Sequence, residues 1–112
     1  MGADSFIAFY GIKIELDPDN EDELEACGMQ TDPRCREAKR VGLESFSGRM
    51  TEGDDYFLYV GRRLAWLGLE NGQYSTQSLE QLSSVAADVR VKLKAANFLQ
   101  PPELHFQFIG QY

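Results

Sequence analysis

Between Glu15 and Glu25, in the stretch ELDPDNEDELEACG, seven carboxylates occur with no base among them. Such a run can serve three kinds of chemistry: a metal loop, an imitation of a nucleic-acid backbone, or the polar start of a helix. A calcium loop of the EF-hand type needs oxygens at positions one, three, five and twelve, with glycine at six. Starting at Asp17, positions three and five are Asp19 and Glu21. Position six is Asp22 and position twelve is Gly28, where the glycine and the bidentate glutamate belong. Both mismatches argue against that loop, and no metal or other cofactor is expected.

A spaced row of carboxylates can instead occupy a basic groove on another protein, the counterion argument seen from the other partner. Small inhibitors of phages and mobile elements work in this way. Asp17, Asp19, Glu21, Asp22, Glu23 and Glu25 are the residues that would do so here. Arg34, Arg36, Lys39, Arg40 and Arg49 follow closely and would neutralise them internally if two short helices packed side by side. The plainest use of the acids is a solvated helix start, at the positive end of the helix dipole.

Other chemistry-bearing residues are few. Cys27 and Cys35 are the only cysteines and His105 the only histidine, so the usual zinc set of four nitrogen and sulfur ligands cannot be completed. The cysteine spacing is not that of a redox pair, and two small buried residues on the inner faces of short helices are expected. His105 has no nucleophile partner in a known motif. Gly-x-Ser-x-Gly, phosphate-loop and His-Glu-x-x-His patterns are absent.

The chain has 112 residues, 43% apolar and 26% charged, which suits one globular domain spanning 1–112. A net charge of −7 argues against direct binding to nucleic acid or to anionic membranes. No stretch approaches the ~20 apolar residues of a membrane span. The N-terminus lacks a basic region and a long apolar run, so no signal peptide is expected. Two cysteines without an export signal suggest a reduced, cytoplasmic setting.

The elements that must position these residues follow from periodicity. Phe6 to Leu16 alternates as a strand, with Ala8, Tyr10, Ile12, Ile14 and Leu16 on one face. Asp19 or Asn20 can cap a short helix that Gly28 closes, and Asp32-Pro33 starts a second that runs to about Arg40. Leu43 to Met50 reads as a weak strand and Thr51 to Asp55 as a loop. In YFLYVGRRLAWLGLENG, Tyr56–Val60 and Arg63–Leu69 read as a hairpin about a Gly61-Arg62 turn, pairing Phe57 near Trp66 and Tyr59 near Leu64. Glu70 to Gln73 is a further turn. Ser78 and Gln81 form a capping box before an amphipathic helix that Asn97 ends, and a last strand follows Pro101-Pro102.

This order gives an α+β fold: a four- or five-stranded, mainly antiparallel sheet, one long helix across a face, and two short helices after the first strand. Both faces of the expected hairpin are apolar, and one long helix covers only one. The second face is then covered by the short helices, by a second copy, or by a partner. Tyr59, Arg62, Arg63 and Trp66 are of the types favoured at interfaces. The expectation is a small protein-interaction module, an inhibitor or accessory protein, that self-associates through the sheet as a homodimer and meets a basic partner with its acids. The alternative is a small-molecule site or enzyme with a pocket between sheet and long helix, lined by Tyr10, Trp66 and His105.

Overall fold

The computed structural model describes residues 4–49, 56–68 and 72–109. The loop expected at Thr51–Asp55, the first half of the Glu70–Gln73 turn and the end of the last strand lie outside them. The elements are β1 (Ser5–Leu16), α1 (Glu21–Gly28), α2 (Pro33–Arg40), β2 (Glu44–Arg49), β3 (Tyr56–Gly68), α3 (Leu79–Ala95) and β4 (Glu103–Ile109). The strands form one sheet in the order β2-β3-β1-β4, antiparallel at every step. The fold is therefore α+β.

Local chemistry sets the helix starts as expected. The Asn20 side chain accepts from the Glu23 amide at 3.1 Å, and Asp32 accepts from the Arg34 amide at 2.9 Å with Pro33 in the first turn. Ser78 and Gln81 form both bonds of the capping box. Helix ends use left-handed residues at Gln30, Gly42 and Asn97. Gly28 is the last residue of α1 rather than the residue that closes it.

The expected hairpin at Gly61-Arg62 does not form. Tyr56–Gly68 is one strand, paired with β1 from Leu16↔Tyr56 to Ser5↔Gly68. The physical reason is the length of β1: its twelve residues offer one long ladder to both apolar runs, whereas a hairpin would pair them only with each other. The register shifts once, between Ala8 and Phe9, where Leu64 is the extra residue. That bulge turns Leu64 toward the helices, and Phe57, Tyr59 and Trp66 stay together on the other face.

The helix-side core joins Cys27 of α1, Cys35 and Ala38 of α2, and Val89 and Leu93 of α3 to Tyr10, Ile12, Leu16, Leu58 and Val60. All three helices thus serve one face, and the molecule is only 19 Å thick. The opposite face holds a second core of Ile7, Phe9, Phe57 and Tyr59 with Phe46 against it, and no helix contributes to it. The short helices do not cover these side chains; they are buried within the single chain, where the sheet bends over them. Tyr59 lies across from Lys13, four residues along β1 from Phe9, about 13 Å on a flat strand. The Phe9 and Tyr59 ring centroids are nevertheless 5.3 Å apart. Tyr59 also donates its hydroxyl hydrogen to Gln107, which sits opposite Ile7 farther along, at 3.1 Å.

The crease falls at Gly11 and Gly61, which face each other. Their φ angles are +158° and +157°, a region side chains rarely adopt. A Cβ on Gly11 would lie 2.1 Å from the Val60 carbonyl oxygen, and one on Gly61 would lie 2.1 Å from that of Tyr10. Glycine at a tight bend of a strand has this role. Gly11→Ala and Gly61→Ala are each expected to destabilise the fold by at least ~3 kcal/mol, because backbone must move apart and the strain at φ remains. Gly28→Ala, with open space around it, is expected to stabilise by up to ~1 kcal/mol. Urea denaturation followed by circular dichroism checks both.

Candidate functional site

β4 is an edge strand, and among the described residues it pairs only with β1. Its two faces differ. Gln107 is buried and His105 half-buried in the concave aromatic core. His105 Nε2 lies 3.0 Å from the Gly11 carbonyl oxygen; that oxygen only accepts, so Nε2 carries the hydrogen. On the other face Leu104, Phe106 and Phe108 are 43%, 64% and 51% exposed, and Phe6 beside them on β1 is 38% exposed. Phe6 and Phe106 stack at 6.3 Å between centroids.

This patch exists because α3 is placed elsewhere. Val85, Ala86, Val89 and Leu93 pack on the helix-side core with Tyr10, Ile12, Leu58 and Val60. The half of the sheet carrying Phe6, Ala8 and β4 lies beyond that packing. An apolar hollow of about 260 Å³ opens there between Phe6, Leu104, Phe106 and Leu82. The edge also lacks the usual guards: between Glu103 and Ile109 there is one charge, no lysine and no proline.

The acidic stretch is at the far end of β1 from β4. Asp17, Asp19, Glu21, Asp22 and Glu25 are exposed, and none has an ion pair among the described residues. Glu23 differs: Arg34 reaches it at 3.2 Å while holding Asp32 with a second contact at 2.9 Å. Of the neutralisers considered, Arg34, Arg36, Lys39 and Arg40 have described side chains; among these Arg34 alone pairs with the stretch, and Arg40 pairs with Glu37 of its own helix. The hydrogen bond from Arg34 holds the Asp32 carboxyl below its ordinary value. Cys27 and Cys35 are both buried free thiols beside this cluster. Burial, with Asp32 and Cys35 adding, pushes the Cys27 thiol up to about 11.

The remaining expected site residues scatter. Tyr59 is enclosed in the concave core, where burial raises its phenol. Arg62 donates to the Gly42 carbonyl oxygen at 3.1 Å and pairs with Asp88 of α3 at 3.6 Å. The guanidinium of Arg63 lies over Trp66, 5.1 Å from its centroid. Tyr10, Trp66 and His105 do not converge: Tyr10 is in the helix-side core, while Trp66 and His105 oppose Ile7 and Phe9 on the other face. The expected pocket between sheet and long helix therefore has no such lining. Phe6, Leu104, Phe106 and Phe108 were not among the expected site residues. Their alternation marks a strand with an apolar face, but nothing in it marks an edge left open.

Among the described residues no group of three or more His, Cys, Asp or Glu side chains could hold a metal ion, and no helix is long and apolar enough to cross a membrane. No family model matches the chain, and no curated protein or solved structure matches it significantly.

Two outcomes are expected from the Asp32 cluster. Asp32 titrates below its unfolded value, so its ion pair stabilises fully above pH ~4 and the contribution is lost as pH falls through the lower folded value. Asp32→Asn keeps a good cap but loses the pair, and should cost roughly 1 kcal/mol at pH 7 and progressively less as pH falls below ~4. Denaturation midpoints across that range check this. The buried thiols should react with a disulfide reagent at pH 8 only as fast as the fold opens, and both should react at once in denaturant.

Proposed function

We propose that this chain is a protein-interaction module that binds a second copy of itself through β4. The observation that carries the reading is the open, apolar edge: Leu104, Phe106 and Phe108 exposed on a strand with an unguarded outer side. An unpaired strand edge is a template for another strand, with main-chain hydrogen bonds giving affinity and alternate side chains giving specificity.

A second copy suits this edge better than a charged partner. Antiparallel pairing about a two-fold axis at Phe106 places Leu104 opposite Phe108 and His105 opposite Gln107, so like chemistry meets like on each face. The result would be one continuous eight-stranded sheet, since each copy brings four strands. Leu104, Phe106, Phe108 and Phe6 together offer roughly 400 Å² per copy beyond the backbone, near the low end for a specific interface. A micromolar dimer is the corresponding affinity class.

The carboxylates from Asp17 to Glu25 stay outside this interface and are proposed to face a basic protein partner. What supports that is the exposure of five of them without internal cations.

The two contacts respond oppositely to salt. Two copies of charge −7 repel, so added salt should tighten the dimer. Binding of a basic partner to the acids should weaken with salt. Sedimentation velocity at about 100 μM is expected to show dimer for the native chain and monomer for Phe106→Glu and Phe108→Glu, all with the same circular dichroism. A native chain that stays monomeric at every salt concentration refutes the self-association reading.

A further inference from the structure

The sheet edge opposite β4 carries a different feature. Beside α2 and the start of β2, an open cleft of about 390 Å³ is lined by Phe9, Gln30, Lys39, Ser45, Phe46 and Arg63. That size falls in the range of small-molecule sites, roughly 300–1,000 Å³.

The apolar part of the lining is Phe9, Phe46, Leu43 and Cys35. Phe9 is buried, and Phe46 stands edge-on to Trp66, with centroids 5.8 Å apart and planes at 77°. One wall is polar and held in place: the Ser45 hydroxyl donates to Gln30, whose amide nitrogen lies 3.4 Å from the Ser45 carbonyl oxygen. This ties the α1–α2 connection to β2.

The charges are the informative part. Arg34, Arg40, Arg62 and Lys92 each have a carboxylate partner, whereas Lys39 and Arg63 have none among the described residues. Arg63 is nevertheless held. Its backbone amide donates to the Glu44 carboxylate at 2.6 Å, and its guanidinium carbon lies over the Trp66 ring, 5.1 Å from the centroid. Glu44 also lines the cleft, so two cations face one carboxylate already engaged by backbone. In a chain of net charge −7, this is a locally positive hollow. A guanidinium over an aromatic ring and without a carboxylate partner keeps N–H donors available, and their fork matches the two oxygens of a carboxylate or phosphate. A lysine beside it adds a point charge of the same sign.

We propose that this cleft binds a small ligand made of a compact anion, carboxylate or phosphate, joined to a flat apolar body. The anion meets Arg63 and Lys39, and the flat body rests on Phe46. The site is independent of self-association, because β2 and β4 are the two outer strands of the sheet and pairing through β4 leaves the cleft open.

The test uses the full chain and four probes of one size: benzoate, phenyl phosphate, benzyl alcohol and benzamidinium. Trp66 is the only tryptophan and lies under Arg63, so its fluorescence reads the cleft, with calorimetry as an independent readout. Benzoate or phenyl phosphate is expected to saturate with a dissociation constant of about 1 mM or tighter, the tighter one identifying the anion. Benzyl alcohol and benzamidinium should not saturate. Arg63→Gln and Lys39→Gln, both at exposed side chains, should each weaken anion binding about tenfold by calorimetry, with unchanged melting. The proposal is overturned if neither anion saturates by about 10 mM. It is equally overturned if the neutral or cationic probe binds as well, or if both variants bind like the native chain.

Discussion

Gly11 and Gly61 face each other at the middle of the two longest strands, and their missing side chains let the sheet fold over one of its own faces. Almost every other feature follows from that close approach. Rings from opposite sides of the crease meet, Tyr59 against Phe9 and His105, and its hydroxyl reaches Gln107. The aromatic residues are enclosed without a second layer of helices. A chain of this size cannot supply helices for both faces of a long sheet, and bending removes the need.

The bend also decides where the helices go. With one face enclosed by the sheet itself, α1, α2 and α3 share the other. Their packing concentrates around Cys27, Cys35, Val89 and Leu93, over the half of the sheet built from Ile12 to Leu16 and Leu58 to Val60. The triad of Arg62, Asp88 and Lys92 anchors α3, with Lys92 lowering the Asp88 carboxyl most. The other half of the sheet, around Phe6 and β4, is left with apolar side chains that α3 meets only near its start, at Leu82. The open edge is thus a consequence of how helix cover is distributed, not of an unusual composition in β4.

Charge is distributed as unevenly as cover. The carboxylates before and in α1 are mostly exposed, and Arg34 holds only Glu23 and Asp32. Lys39 of α2 and Arg63 of β3, which join no ion pair among the described residues, both line the cleft at the β2 edge, where Arg63 lies over Trp66. An acidic face, an apolar edge and a basic aromatic cleft therefore occupy three separate places on one small chain. In the proposed dimer the acidic stretches would stay apart, because β4 pairs with the end of β1 remote from Asp17.

Much of the local structure was legible in the residues. Asn20, Asp32-Pro33 and Ser78 with Gln81 mark helix starts through bonds between neighbours, and Asn97 marks an end by tolerating a left-handed backbone. Alternation located β1, β2 and β4, and the burial of the two cysteines followed from their small apolar character. These depend on residues a few positions apart, so sequence by itself determines them. The tertiary structure decided what depends on distant partners. Gly61-Arg62 reads as a turn until β1 offers a longer ladder, and Gly61 then serves the crease opposite Gly11, fifty positions away. Tyr10 and His105 look like neighbours in a pocket until the two faces of the sheet part them. Phe106 reads as core until the strand order leaves β4 at the edge. Lys39 and Arg63 become one site only where α2 and the bulged strand meet. Pairing and cover are set by competition among all the surfaces in the chain, and that competition leaves no mark at any single position.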